Sequence, residues 1–371
     1  MLPGFVDFVK LNKWRDYLDK RAADLLRWSN VVEDYDETIL NPFLPEVNNP
    51  LWDYIENNLN EAKQKVVADF GCGNGKFVKF LCEEKKIENV YGIDYSDNML
   101  KSAKKRNKSS YLFSIDTKFE EKLNNGSISE ELKKEFKKNR FSLPDNASVK
   151  KEEEKKWAIT DEKKFIIRKE EGKLNIYKSN VTFLRMDMTR LEEEMGKKEE
   201  EIYGKIDIAF SINSILPRNP KDTPIILHEI YNALTPGGIF IAIVPAFDTV
   251  LYLKELWYER RIERLKERYK HSIKKLGSKL EAIMDTRREF YKCRKLNKRK
   301  QLYADDFSNV QRFIHDNKIQ DLLKDAGFEL LQKEKVTYPW ELCKKYNYDY
   351  FPGKEEIWDW FVVAEKLKKE N

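Results

Sequence analysis

Two aspartates separated by a glycine cluster are the residues of this sequence best suited to holding and reacting a ligand. Asp69 stands near the end of the apolar run Val66-Val67-Ala68-Asp69-Phe70, which leads at once into Gly71-Cys72-Gly73-Asn74-Gly75. Asp94 ends the next such run, Val90-Tyr91-Gly92-Ile93-Asp94, and follows Gly75 by 19 residues. Glycines let the backbone approach a ligand closely, and a helix beginning just beyond them offers free amide donors. A dinucleotide fingerprint needs Gly or Ala where this chain has Lys76, and its glycines are spaced G-x-G-x-G, so a pyrophosphate cradle is disfavoured. A carboxylate at the end of the second strand can instead accept both hydroxyls of a ribose.

The elements that must position these groups follow from the hydrophobic pattern. Strand 66–70, the glycine turn and a helix over 76–84 form one unit, and strand 90–94 with a helix from Ser96 to about Arg106 forms the next. Further strands are predicted over 181–187, 206–210, 239–244, 328–336 and 360–364, with helices over 223–234 and 316–326. Alternating strands and helices imply crossover connections, so the expected class is α/β, a doubly wound seven-stranded mostly parallel sheet. The core is expected in three pieces, 61–106, 180–252 and 316–371, behind an N-terminal helical cap over 1–60.

Two stretches interrupt it. Residues 107–179 are charge-rich, as in Lys150-Lys151-Glu152-Glu153-Glu154-Lys155-Lys156, and read as a weakly ordered or hairpin-like surface insertion. Trp157, Phe165-Ile166-Ile167 and Leu174-Asn175-Ile176-Tyr177 suggest a small strand pair in its second half. Residues 253–315 read as a helical arm, with Tyr258, Ile262, Leu265, Tyr269, Ile273, Leu276, Leu280 and Ile283 spaced by three and four and Gly277-Ser278 as the expected break.

The segments Asp69 to Gly75 and Gly92-Ile93-Asp94-Tyr95-Ser96-Asp97-Asn98-Met99-Leu100 resemble the first two motifs of the class I S-adenosylmethionine-dependent methyltransferase family. Phe183-Leu184-Arg185-Met186-Asp187 and Leu234-Thr235-Pro236-Gly237-Gly238 are similar to its later ones. The resemblance implies S-adenosyl-L-methionine as cofactor and a methyl transfer to an acceptor left open as small molecule, protein or RNA. It implies Asp69 near the methionine amino end, the backbone of Gly71, Gly73 and Gly75 beneath methionine and ribose, and Asp94 on the ribose hydroxyls. Tyr95 would flank the adenine, and Asp187 with Met188 would meet its edge; Cys72, Met99 and Ser211 complete the expected cofactor-binding set. Asp187 as an ordinary turn aspartate and Cys72 as a small buried residue are the structural alternatives.

The acceptor is expected at the carboxyl edge of the fourth and fifth strands, where Asn213 and Asp248 are the candidates for catalytic contact. The Asn-Pro-Pro-Tyr type of sequence associated with adenine amino methylation is missing, since Ser214-Ile215-Leu216 follows Asn213. Because the sulfonium methyl is already activated, placement and exclusion of water can supply much of the acceleration.

Composition sets the remaining limits. The four cysteines, Cys72, Cys82, Cys293 and Cys343, include no Cys-x-x-Cys pair, which argues against a zinc knuckle or a disulfide framework. No metal site, membrane segment or leader is expected, and a cytoplasmic location is the simplest reading. The net charge of +6 says little over 371 residues, but 254–300 holds 18 Lys and Arg against 7 Asp and Glu. That arm would attract an acidic partner. The competing function is therefore a catalytically silent cofactor-binding protein that docks an acidic protein or RNA through the arm.

Overall fold

The computed structural model describes residues 41–368, apart from 60–61, 108–109, 125, 127, 140–142, 144–147, 154–155, 160–164, 171, 179–180, 196–201, 218, 293–295, 298–301, 305–309 and 346–352. Most of the expected N-terminal cap, 1–40, lies outside the described residues.

Runs of five to twelve residues, apolar except in the edge strand β6, form the strands of a seven-stranded sheet: β1 (Val66–Phe70), β2 (Asn89–Asp94), β3 (Val181–Arg185), β4 (Ile206–Ile212), β5 (Leu234–Pro245), β6 (Phe328–Tyr338) and β7 (Ile357–Lys366). Their order across the sheet is β6-β7-β5-β4-β1-β2-β3. β1 pairs in parallel with β2 and β4, β2 with β3 and β4 with β5, whereas β7 runs antiparallel to both β5 and β6. The register sets Asp69 beside Gly92 on one side and Phe210 on the other, so the first acid sits mid-sheet at the carboxyl edge.

Helices cover both faces, because the interior strands are apolar on both. On one face Val67, Val90, Ile208, Phe210 and Ile241 pack with Leu51 and Ile55 of α1 (Pro50–Asn58), Phe77 and Leu81 of α2 (Lys76–Glu83) and Leu100 of α3 (Asp97–Arg106). On the other, Ala68, Phe70, Ala209, Phe240 and Val362 pack with Ile226 and Ile230 of α4 (Asp222–Ala233) and with Ile319 and Leu323 of a later helix, Asp316–Asp325. Local signals fix the starts: Asn49 accepts from Leu51 N–H at 3.0 Å ahead of Pro50, and Ser96 Oγ accepts from Met99 N–H at 3.3 Å.

The arm runs from the end of β5 as α5 (Phe247–Arg268) and α6 (Ile273–Lys292), followed by a small antiparallel sheet of Leu296–Asn297, Leu302–Ala304 and Val310–Arg312 and then by α7 (Asp316–Asp325). The break between the two arm helices falls at 269–272, and Gly277-Ser278, expected to divide them, lies inside α6. A single glycine costs a helix only about 1 kcal/mol, and an added Cβ at Gly277 would meet nothing, so no packing demand forces a turn there.

The insertion departs most from expectation. Five antiparallel strands, in the order Ser110–Ile115, Lys173–Lys178, Phe165–Glu170, Lys156–Ile159 and Val149–Glu153, enclose a separate core with the helix Glu130–Lys138. Phe136, Trp157, Ile167, Leu174 and Ile176 are buried there. The buried residues alternate along the strands, Trp157 with Ile159, Phe165 with Ile167 and Leu174 with Ile176, so one face of the sheet is packed. Trp157, completely buried, also donates from its indole nitrogen to Asn124 Oδ1 at 3.1 Å. Trp157→Ala is expected to cost about 3–5 kcal/mol, read as a lower denaturant midpoint; a loss under about 1 kcal/mol would mean that this core is not packed in solution.

Candidate functional site

The chain leaves β1 at Phe70 and turns over the end of β2, with Gly71 N–H and Cys72 N–H both donating to Ile93 O at 2.7 and 3.0 Å. Gly71 and Gly75 have φ of +76° and +74°, a left-handed region that penalises side chains. Space forbids a side chain as well: a Cβ on Gly71 would run into Ser214, and one on Gly75 would lie 2.8 Å from Ala103 Cβ of α3. Gly75 precedes α2 without a side-chain cap, leaving the first amides of that helix without a side-chain acceptor from the cap.

Asp94 closes this elbow. One carboxylate oxygen accepts from Gly73 N–H at 2.9 Å and the other from Ser96 N–H at 2.8 Å, tying the glycine loop to the β2 turn. Its pKa is nonetheless raised, because desolvation outweighs the bonds from Ser96, Gly73 and Tyr95. Asp69, 3% exposed, is pushed up to about 8 by burial and then by the like charge of Asp94. Burial also drives the Cys72 thiol well above its ordinary range, and its sulfur contacts Gly73 O at 3.8 Å. A thiol so held is not a nucleophile at neutral pH.

The third strand brings its acid to the same edge. Met186 N–H donates to Asp94 O at 3.1 Å, which sets Asp187 just beyond β2. Asp187 Oδ1 accepts from Thr189 N–H at 2.9 Å and Thr189 Oγ1 at 2.7 Å, so this carboxylate shapes the turn into the short helix Leu191–Met195. Tyr95 and Met188 are half-buried, whereas Met99 is fully buried on the inner side of α3.

Ser211, at the end of β4, shares a 2.5 Å hydrogen bond with Ser214 Oγ, which in turn donates to Phe70 O at 2.6 Å. Ser214 thus lies directly against the glycine elbow, with Asn213 next to it in the chain. Asn213 has a φ of +50°, its N–H donates to Ile243 O at 2.8 Å, and its side chain hydrogen-bonds Asp359 of β7. Asp248, expected to face the acceptor, is spent elsewhere: its carboxylate meets His315 Nδ1 at 2.8 Å and accepts from Asp316 N–H at 2.9 Å, stapling the start of α5 to the start of α7. The acid at the carboxyl edge of β4 and β5 is Asp359, which accepts from Tyr338 Oη–H at 2.7 Å and Ala246 N–H at 3.3 Å. Burial raises it to about 6 despite those bonds. The pattern predicted β7 only from Trp360, although an acid enclosed by Ile357, Trp358, Trp360 and Phe361 was a visible signal.

The family description "Methyltransferase domain" matches residues 67–141, from β1 through the glycine elbow and Asp94 into the insertion. Over those residues the chain is similar to the methyltransferase domain family. Its sheet is the seven-stranded, mostly parallel one that the motifs imply. Among solved structures the chain is similar to an S-adenosylmethionine-dependent methyltransferase of Methanosarcina mazei, at 13% identity and a TM-score of 0.42, over 83% of this chain and 94% of that one. It is also similar to the 1,6-didemethyltoxoflavin-N1-methyltransferase of Burkholderia thailandensis, at 11% identity and a TM-score of 0.44, over 95% and 90% of the two chains. A third likeness is to the magnesium protoporphyrin IX methyltransferase of Synechocystis, at 14% identity and a TM-score of 0.37, over 85% and 78%. Likenesses this loose carry no inference about the acceptor. No curated protein matches the sequence.

The site leaves a charge to be balanced at the carboxyl edge of the sheet. Asp69 and Asp94 raise each other's cost of ionisation, and a cation between glycine elbow and β2 would remove it. A nucleoside carrying a positive sulfonium and an ammonium fits that requirement. In the unliganded protein a carboxyl with pKa about 8, against 3.8 ordinarily, binds its proton more tightly folded than unfolded. Stability from Asp69 is therefore full at acid pH and is lost as pH rises from about 4 to about 8. Since Asp359, at about 6, also titrates in the lower half of that window, Asp69→Asn is expected to flatten the fall in melting temperature between pH 6.5 and 8.5. Parallel melting curves for the two proteins over that interval would refute the assignment.

Proposed function

We propose that this chain transfers the methyl group of S-adenosyl-L-methionine to an acceptor entering at the carboxyl edge of β4 and β5. The observation that carries the reading is the pair of desolvated carboxylates, Asp69 and Asp94, on either side of a glycine elbow too tight for side chains. In this reading Asp69 faces the methionine ammonium, and the Gly71, Gly73 and Gly75 backbone lies under methionine and ribose. Asp94 turns from its amide donors to the ribose hydroxyls, while Tyr95, Asp187 and Met188 border the adenine. Cys72, Met99 and Ser211 complete the set around the cofactor.

Bound there, the cofactor supplies an activated methyl on a cationic sulfur. The chain's share is to align that methyl with the acceptor and to keep water away. No covalent intermediate is required, which suits a site whose cysteine is buried and protonated.

The arm extends the reading. Its surplus of cations over 254–300 favours an acidic acceptor or partner. Among the described residues no helix is long and apolar enough to cross a membrane.

Calorimetric titration with S-adenosylhomocysteine should give saturable heat, and Asp94→Ala should weaken binding by roughly 1.5–3 kcal/mol, the range for hydrogen bonds to a charged group. No heat with either the donor or its spent product would remove the proposal. Labelled methyl donor added to a cell extract, with ribonuclease or protease in parallel, should then name the acceptor class by which treatment abolishes incorporation.

A further inference from the structure

Backbone bonds at the end of β5 carry a histidine to the carboxyl edge of the sheet. Phe247 N–H donates to Ile314 O at 3.1 Å and Ile314 N–H to Pro245 O at 2.9 Å, so the chain returning from the arm runs beside β5 just where that strand ends. Ala246, bridged to Ile314, also donates to Asp359, the acid that Asn213 meets from just beyond β4. His315 is the next residue. Of the chain's three histidines, His228 lies within α4 and His271 in the turn between the arm helices, so His315 alone stands at the carboxyl end of a sheet strand.

Three groups orient its ring. Asp248 Oδ1 meets Nδ1 at 2.8 Å, Asp248 Oδ2 is itself held by Asp316 N–H at 2.9 Å, and the fully buried Phe247 ring lies 4.5 Å away, tilted edge to face. A carboxylate can only accept, so the imidazole proton belongs on Nδ1 and the lone pair on Nε2. The ring is not sealed in, since its side chain is 26% exposed. Fastening the arm does not call for an imidazole either: the two backbone bonds and the Asp316 amide already join α5 to α7. An imidazole held by an acid at one nitrogen, with its basic nitrogen directed away from that acid, is the arrangement of general-base catalysis.

We propose that His315 Nε2 is the general base of the methyl transfer, taking the proton of an acceptor hydroxyl as the methyl arrives, with Asp248 as its positioning residue. The proposal rests on the methyl-transfer reading above and narrows its acceptor to an alcohol or phenol, because a neutral hydroxyl is a weak nucleophile until its proton leaves. An oxygen lone pair forms the O–C bond while the S–C bond breaks with its electrons returning to sulfur. The hydroxyl proton passes to Nε2, and Asp248 stabilises the imidazolium until water takes that proton.

His315→Asn tests the base separately from the joint, because its side-chain NH2 stands where Nδ1–H does and can still donate to Asp248. With labelled S-adenosylmethionine and cell extract, the variant should lose about a hundredfold or more in the rate of methyl incorporation, with its affinity for S-adenosylhomocysteine within about twofold and its melting temperature unchanged. Should it melt lower, Asp248→Asn, which keeps the imidazole, decides. There the amide oxygen must take the Asp316 N–H, so the NH2 faces Nδ1 and drives the ring's proton onto Nε2, and the rate should again fall. At saturating donor the wild-type rate should rise with pH on its acid side and then level, a limb missing from His315→Asn. The charged groups around the ring are Asp248 from α5, Asp316 from α7 and Lys333, which reaches Asp316 from β6. Asp359, raised to about 6, titrates in both proteins, so the difference between the two profiles is the readout. Mass spectrometry of the labelled product should place the methyl on oxygen. A wild-type rate in either variant, the same pH limb in His315→Asn, or a methyl on nitrogen, sulfur or carbon overturns the proposal while the cofactor reading stands. Failure of the wild type to bind S-adenosylhomocysteine or to transfer any label overturns both.

Discussion

Two carboxylates held out of water on one sheet edge are the constraint around which the rest of the molecule is arranged. Asp69 and Asp94 oppose each other's ionisation, and a free chain would separate or solvate them. Their positions are fixed by things neither residue controls: the parallel register of β1 on β2, and amides of Gly73 and Ser96 that can reach Asp94 only if the loop passes close above β2. The two apolar layers that hold this register are filled by long-range contacts of Phe70, Phe210, Phe240 and Phe361, all fully buried. The unfavourable charge pair is thus a local cost carried by a large cooperative core, as functional sites commonly are.

The same logic explains why the glycine elbow must be glycine at more than one point. Gly71 has Ser214 against its α-carbon and Gly75 has Ala103 and Asn107, so β4 and α3 press on the loop from opposite sides. A looser loop would tolerate side chains but would let the backbone withdraw from any ligand. Close packing around the elbow and close approach to a nucleoside are one requirement seen from two directions.

The glycine elbow and the two acids beside it were legible because their signals are local. Glycines, the strand before them and the acid of the next strand lie within the 26 residues from Asp69 to Asp94, and the turn and cap signals around them are strong. The insertion was harder. Its charges suggested solvation, and only the alternation of Trp157 with Ile159, Phe165 with Ile167 and Leu174 with Ile176 marks a buried face. Runs of Lys and Glu hide a two-residue period when the packed positions are few. Gly277 misled in the opposite sense, since a helix absorbs one glycine when nothing else calls for a turn.

The Asn213–Asp359 pair was illegible for a topological reason. β7 runs against β5, so its beginning, not its end, lies at the carboxyl edge, with Asp359 opposite Pro245. A residue near the end of the chain therefore meets Asn213, and no local motif can encode a pair so distant in sequence. Asp248, adjacent to β5 and hence the natural guess, is drawn off by His315 and the amide of Asp316. The glycine elbow written in a short motif and the Asn213–Asp359 pair assembled across the reversed strand can vary independently, because residues on β7 can change without touching the register of β1 and β2. In such an arrangement the glycine elbow is readable from the sequence, while the residues that meet beside it are readable only from the pairing of strands.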